Sequence, residues 1–373
     1  MYNVLHIYRT FFPDTQGGAE EVIRQLANAA INSGEARVRV LVPSKQCRNV
    51  EKITFENIEV IRVPELFEIA SCNVYRGGFR ELWNQVKWAD IVHYHFPWPF
   101  QDLLHFAFVA PQKKKTVVTY HSDIVRQKLL GALYSPLQNL FLKSVDRIVA
   151  TSPNYLESSP VLQKFKHKVD VVPLGLDEAT MAQPTPEATA WVEKQFPQPF
   201  FFFIGVLRYY KGLHFLIEAA AQTGLEVVIA GDGPERENLL ALKQQLKADN
   251  VHIIGRVTDE QKAALFMACR AFVLPSHVRS EAFGVVLLEA MYYGKAMITT
   301  NLDTGVSFAN SHNETGLKVS PATSSELGTA MQELSTDQIL AKSMGKAARR
   351  RYENLFTMSL FSHSHLEIYG QLR

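Results

Sequence analysis

The chain has few cysteines, no long apolar run and almost no net charge, and each shortage excludes a class of protein. Cys47, Cys72 and Cys269 are the three cysteines in 373 residues. They are too few and too scattered for a disulfide framework or a structural zinc site, which fits a reducing cytoplasm. The longest apolar stretch, near Phe200 to Leu207, falls far short of the ~20 residues a membrane-spanning helix needs. Neither a basic leader nor a small-residue cleavage site accompanies the opening segment Val4-Leu5-His6-Ile7-Tyr8, so no secretory signal is expected and the protein reads as soluble or peripheral. A formal net charge of +2 argues against nucleic acid as a principal partner. No segment is biased enough in composition to suggest disorder.

What is present is alternation. Short apolar strands at Val4–Tyr8, Val38–Val42, Ile58–Val63, Ile91–His95, Thr116–Tyr120, Arg147–Thr151 and Val169–Val172 are separated by longer amphipathic segments. The pattern restarts with Phe200–Ile204, Glu226–Ala230, Val251–Ile254, Ala271–Leu274 and Ala296–Thr299, spaced by helical stretches such as Leu213–Thr223 and Arg236–Ala248. Such alternation predicts an α/β protein with two parallel sheets, each covered by helices on both faces. The length agrees with two domains. The seam is expected in the proline-rich stretch Pro173 to Pro199, giving domains over 1–172 and 173–354, with a final helix over Leu355–Leu372. Ligands of such folds bind beyond the carboxyl ends of the strands, which places the expected site in a cleft between the domains.

The most informative stretch is Ser276 to Glu289, SHVRSEAFGVVLLE. Glu281 and Glu289 stand eight positions apart around the turn Ala282-Phe283-Gly284, and Val285 to Tyr293 reads as a helix stopped by Gly294. The N–H groups of Phe283, Gly284 and Val285 would be the unsatisfied donors of a helix start, suited to an anion. An acid on each side of such a turn suits a phosphorylated sugar. Taken alone, an ordinary loop acid and a helix-face glutamate would read the same.

This spacing followed by Phe-Gly resembles the signature of the retaining nucleotide-sugar glycosyltransferases of glycosyltransferase family 4, which have the two-domain GT-B fold of paired Rossmann-like, doubly wound sheets. Four more segments resemble the family in order: Gly17-Gly18-Ala19-Glu20, Tyr120-His121-Ser122-Asp123, Gly205 to Gly212, and Gly231-Asp232-Gly233-Pro234. The resemblance implies that the C-terminal helix returns to the first domain. It also implies that Glu281 holds the sugar ring, that Glu289 holds the ribose, and that Val257 lies where the nucleotide base is held by backbone. His121 would lie against the transferred sugar with Asp123 nearby, and Gly17 and Gly18 would let a loop approach the ligand. Arg208 and Lys211 follow a buried-looking strand and would neutralise the departing diphosphate without a metal. The family usually carries arginine directly after the first glycine of that segment, where this chain has Val206; Arg208 is expected to supply the missing charge.

The segments Gly205 to Gly212 and Tyr120 to Asp123 look most like the mannosyltransferases that build bacterial surface polysaccharides such as the O antigen. That resemblance implies GDP-mannose as co-substrate, no cofactor or metal, and a saccharide acceptor linked to polyprenyl diphosphate at the cytoplasmic face of the inner membrane. The aromatic and apolar run His93 to Asp102 is expected to face the cleft mouth or a membrane surface, and Lys113-Lys114-Lys115 to add attraction to anionic headgroups. Packing of those aromatics under a loop is the plainer alternative. A UDP-sugar transferase of the same family, a sugar-nucleotide epimerase on the same scaffold and a non-catalytic nucleotide-sugar-binding subunit remain open at this point.

Overall fold

The computed structural model describes residues 1–69, 72–123 and 128–372, with the backbone alone for 128–132. It divides into two compact units. The first comprises Met1–Gly175 and the residues from Met358 on, and the second comprises Leu176–Thr357.

The first unit is built on β1 (Tyr2–Ile7), β2 (Ala36–Ser44), β3 (Glu51–Phe55), β4 (Ile58–Ile69), β5 (Cys72–Tyr75), β6 (Ile91–Phe96), β7 (Lys115–Tyr120), β8 (Arg147–Ala150) and β9 (Val169–Val171). The sheet order is β3-β4-β2-β1-β6-β7-β8-β9, with β5 also paired to β4. From β4 to β9 the neighbours are parallel, whereas β3 and β5 run antiparallel to β4. These edge strands depart from the all-parallel expectation. The β3–β4 connection is a tight turn with Glu56 at φ 54°, too short for a crossover and long enough only for a hairpin. Because β3 is polar and half exposed, it left no apolar run to recognise. The helices of this unit include α1 (Gly18–Asn32), α2 (Phe79–Trp88), α3 (Pro99–Leu104) and α4 (Lys128–Ser144).

β6 lies inside the sheet, between β1 and β7, so its alternate side chains face covered layers on both sides. Tyr94, Phe96 and Trp98 are consequently fully buried. Phe96 stacks on Tyr120 with centroids 4.5 Å apart, and the Trp98 indole N–H donates to the Asn73 carbonyl at 3.0 Å. The aromatic run is therefore core, which corrects the expectation that it faces a membrane.

The second unit contains β10 (Phe200–Ile204), β11 (Glu226–Ala230), β12 (Val251–Gly255), β13 (Ala271–Leu274), β14 (Met297–Thr300) and β15 (Gly316–Val319). All pairs are parallel, in the order β12-β11-β10-β13-β14-β15. That is the doubly wound order whose strand direction of progress reverses between β10 and β13, where ligands of such sheets collect. The final helix expected over Leu355–Leu372 is present as Met358–Gln371, and a separate helix, Gln338–Leu355, precedes it. Between them the Phe356 carbonyl accepts from the Leu176 N–H at 2.9 Å and Thr357 bridges to Leu176, a pairing that a continuous helix would forbid. Helix Met358–Gln371 packs on α1.

Candidate active site

In the second unit three loops meet at the carboxyl ends of β10, β11 and β13. After β10 the chain turns through Gly205 and reaches Gly212. Gly231, at φ 120°, brings the loop after β11 so close that a Cβ there would lie 2.0 Å from the Gly205 carbonyl oxygen. The Leu207 N–H donates to the Asp232 carbonyl at 2.9 Å. The Gly231-Asp232-Gly233 turn is thus a backbone buttress for the β10 loop rather than simple punctuation. Gly212, at φ 68°, docks the other end of that loop on the chain after β13, where a Cβ would meet the Pro275 carbonyl oxygen at 2.1 Å. The His277 N–H donates to the Tyr210 carbonyl at 3.0 Å.

This docking brings Lys211 to Glu281. The ammonium forms a short ion pair with Glu281 Oε2, with side chains 12% and 9% exposed. The Ser276 hydroxyl donates to the same oxygen at 3.0 Å, and the Thr304 hydroxyl donates to the Glu281 carbonyl at 2.9 Å. Burial works against the Lys211 charge, but Glu281 and Tyr210 together outweigh it and the pKa is raised. A fixed cation and a fixed carboxylate thus share one spot. Arg208, exposed on the same loop, is close enough to act electrostatically on Lys211.

Glu289 is not brought into that group. It pairs with Lys262 at 3.3 Å, from the helix Asp259–Ala268 that follows β12 and the half-buried Val257. Phe283 is buried, 6.0 Å from the Phe356 ring, and Gly284 and Val285 accept from Leu287 and Leu288 N–H groups. The expected helix start is real but belongs to a short helix, Val286–Tyr292.

In the first unit His121 follows β7, and its backbone N–H donates to the Phe96 carbonyl at 3.0 Å. Its Nε2 lies 3.0 Å from His95 Nδ1, and His95 Nε2 lies 2.9 Å from His6 Nδ1. A neutral imidazole has one N–H and one lone pair, so the three rings carry their hydrogens all on Nδ1 or all on Nε2. In the first arrangement the outer Nδ1 of His121 is a donor, and in the second an acceptor. Burial, then Arg9, then His365 push His121 down to about 4. Beside this row His93 Nδ1 and the Tyr369 hydroxyl are 2.6 Å apart, and His93 Nε2 and the Thr119 hydroxyl 2.8 Å. Nitrogens of His6, His93 and His95 lie within 4.8 Å of one another, with the His93 ring centroid 4.8 Å from those of both His6 and His95.

Asp123 accepts from the Tyr120 hydroxyl at 2.9 Å and the Ser159 hydroxyl at 2.8 Å, so it clamps the loop after β7. Gly17 and Gly18 both lie outside the left-handed backbone region. Gly17 is extended at φ −163°, caps α1, and its Cβ position is taken by the Glu20 carboxylate at 2.7 Å. Gly18 faces open space. Neither needs a backbone closed to other residues; what they leave is room. Sequence alone assigns no role to Arg9, the His6–His95 row, Ser276 or Lys262, because each acquires meaning only through a contact that the fold makes. The HYH repeat on β6 was the one available signal. A hollow of about 190 Å³ beside Asp14 and Thr15, lined also by Arg9, Lys45, Glu65 and Asn73, was equally invisible, since its walls come from loops and strands far apart in sequence.

Two family models match almost end to end: Glycosyltransferase Family 4 over residues 16–180 and Glycosyl transferases group 1 over residues 188–351. A D-rhamnosyltransferase of Pseudomonas aeruginosa is 44% identical over 355 residues, covering 95% of this chain and 92% of that protein. The chain belongs to glycosyltransferase family 4. An O-antigen chain mannosyltransferase of Escherichia coli is 41% identical over 370 residues, covering 99% of this chain and 98% of its own length. Sucrose-phosphate synthase from Thermosynechococcus elongatus superposes with a TM-score of 0.80 at 22% identity, covering 100% of this chain and 99% of that one. Anabaena HepE in complex with UDP and glucose also gives 0.80, at 16% identity and full coverage of both chains. The fold of this glycosyltransferase is accordingly GT-B.

Proposed function

We propose that this glycosyltransferase moves mannose from GDP-mannose to a hydroxyl of a lipid-linked saccharide during O-antigen synthesis, with retention of anomeric configuration and without a metal. The observation that carries the reading is the Lys211–Glu281 pair, buried and buttressed at the carboxyl ends of β10 and β13. A carboxylate so fixed accepts hydrogen bonds from sugar hydroxyls, and the adjoining ammonium, with Arg208 nearby, stabilises negative charge as the diphosphate leaves. Glu289 is assigned to the ribose and Val257 to the base. The carboxylates and amide of the hollow beside Asp14 suit a hydroxyl-rich acceptor. The mannosyl choice rests on the Escherichia coli relative.

Stabilisation by GDP, UDP and ADP, each with and without EDTA, tests the donor. A ligand that binds only the folded state contributes about 2.7 kcal/mol at 100 times its dissociation constant. GDP alone is expected to raise the unfolding midpoint, unchanged by EDTA; a response to UDP alone would discard the GDP donor. The anomeric configuration of the product, read by NMR, tests retention. A second reading, transfer of D-rhamnose, is favoured by the Pseudomonas aeruginosa relative. Mannose has a hydroxyl where rhamnose has none, and a site built to hydrogen-bond a hydroxyl rejects the analogue lacking it by about 10⁴–10⁵-fold. Competition between GDP-mannose and GDP-rhamnose therefore separates the two.

A further inference from the structure

At the end of the second sheet remote from Lys211 and Glu281, where β10, β13 and β14 begin, lies another hollow, of about 420 Å³. The helix Pro186–Gln195 and the turn that leads from it into β10 form one wall, and the first turn of Gln338–Leu355 forms another. Its volume is that of a small-molecule site. Part of the wall is apolar and held in place. The Phe196 ring lies among Trp191, Phe200 and His252, with centroids 6.0, 5.5 and 5.3 Å away, while Met267 keeps 54% of its surface exposed.

Three cations, Arg270, Lys295 and Lys342, line the hollow against one acid, Glu193. None of the three forms an ion pair among the described residues. Arg270 stands just before β13, and its backbone N–H donates to the Phe200 carbonyl at 2.8 Å. Its side chain is half-buried and meets neither a carboxylate nor a carbonyl; Nε in particular is buried without an acceptor. A guanidinium drawn out of water in this way is costly unless a counter-charge comes from elsewhere. The Lys295 ammonium is fixed by donating to the Met267 and Cys269 carbonyls at 2.7 and 3.2 Å, which leaves its charge uncancelled and one N–H to give. A planar fork beside point charges suits phosphate, and the Phe196 and Met267 side chains suit an apolar body attached to it. We propose that this hollow is a second anion site, taking a small organic phosphate whose phosphoryl group lies against Arg270, Lys295 and Lys342. The full lengths of β10 and β13 separate it from the Lys211–Glu281 pair, and it goes beyond the sugar transfer proposed above.

The probe is phenyl phosphate, a phosphate dianion joined to a flat apolar ring, added to the full chain with GDP present and with isotope-labelled methionine methyl groups. The chain has eight methionines, and Met267→Leu identifies the resonance that reports on the hollow. Phenyl phosphate is expected to move that resonance with a dissociation constant of ~1 mM or tighter. Inorganic phosphate should act about tenfold more weakly, for want of the apolar contact, and phenol should not act. Arg270→Met and Lys342→Met should each weaken phenyl phosphate about tenfold, with the GDP-induced stabilisation unchanged. Lys342 is exposed, so its variant keeps the test valid even where Arg270→Met folds poorly. A Met267 resonance that stays put at ten times the expected dissociation constant, or that moves alike in parent and both variants, would overturn the proposal. Inorganic phosphate as tight as phenyl phosphate would overturn the organic ligand. Binding here with no response to GDP would leave this site standing and remove the GDP donor alone.

Discussion

At the scale of the residue, the proposed chemistry rests on Lys211 and Glu281. Removing one member of a buried ion pair leaves the other charge without compensation, at a cost of about 3–5 kcal/mol. Lys211→Ala is therefore expected to lower stability as well as turnover, the latter by about 10²–10³ if the ammonium meets the leaving diphosphate. The double variant Lys211→Met with Glu281→Gln should regain much of the stability and none of the turnover. Thermal unfolding and initial rates separate the two effects. A Lys211→Ala enzyme with unimpaired kcat would confine the lysine to a structural role. Arg208→Ala, an exposed change, should leave the unfolding free energy within about 0.5 kcal/mol of the parent while weakening GDP binding; unchanged affinity and turnover would end its compensating role for Val206. His121→Ala is expected to reduce kcat with GDP-induced stabilisation intact.

At the scale of the element, the site depends on how closely one backbone loop rests on another. Gly212→Ala demands a left-handed backbone from alanine and pushes a methyl group into the Pro275 carbonyl, so the loop carrying Lys211 must move. A loss of ~2 kcal/mol or more is expected, together with a fall in activity larger than the stability loss explains at assay temperature. Wild-type rates from this variant would show that the docking does not position Lys211. The strands and the order of the motifs were legible in the sequence because buried parallel strands leave continuous apolar runs, as Phe200–Ile204 does, and because glycines mark the loops after them. The polar hairpin strand β3 left no such mark, and neither did the break at Phe356, which arises from pairing with Leu176 far away in the chain. The aromatic run His93 to Phe100 misled for the reverse reason: its composition suits a surface, while the place of β6 inside the sheet makes it core.

At the scale of the whole molecule, the buried histidines make stability depend on pH. Burial holds His6 down to about 3 and His121 and His365 down to about 4, and His93 and His95 well below their ordinary value. The folded state keeps these rings neutral, whereas the unfolded chain protonates them below about 6.5. The unfolded state thus binds more protons in acid, so stability is fully present above pH 6.5 and is lost as pH falls from there towards 4. Each such ring contributes a slope of up to about 1.4 kcal/mol per pH unit in that window. The unfolding midpoint should drop steeply between pH 6.5 and 4.5, and less steeply in His6→Phe. A flat profile would mean that the histidine row is hydrated and charges freely.

The proposed transfer of mannose from GDP-mannose is tested by the mass of a lipid-linked saccharide acceptor after incubation with enzyme and donor. The account predicts gain of one or more hexose units with GDP-mannose, insensitive to EDTA and lost in Glu281→Ala. No gain from GDP-mannose, with a clear gain from UDP-glucose or GDP-rhamnose on the same acceptor, would contradict it.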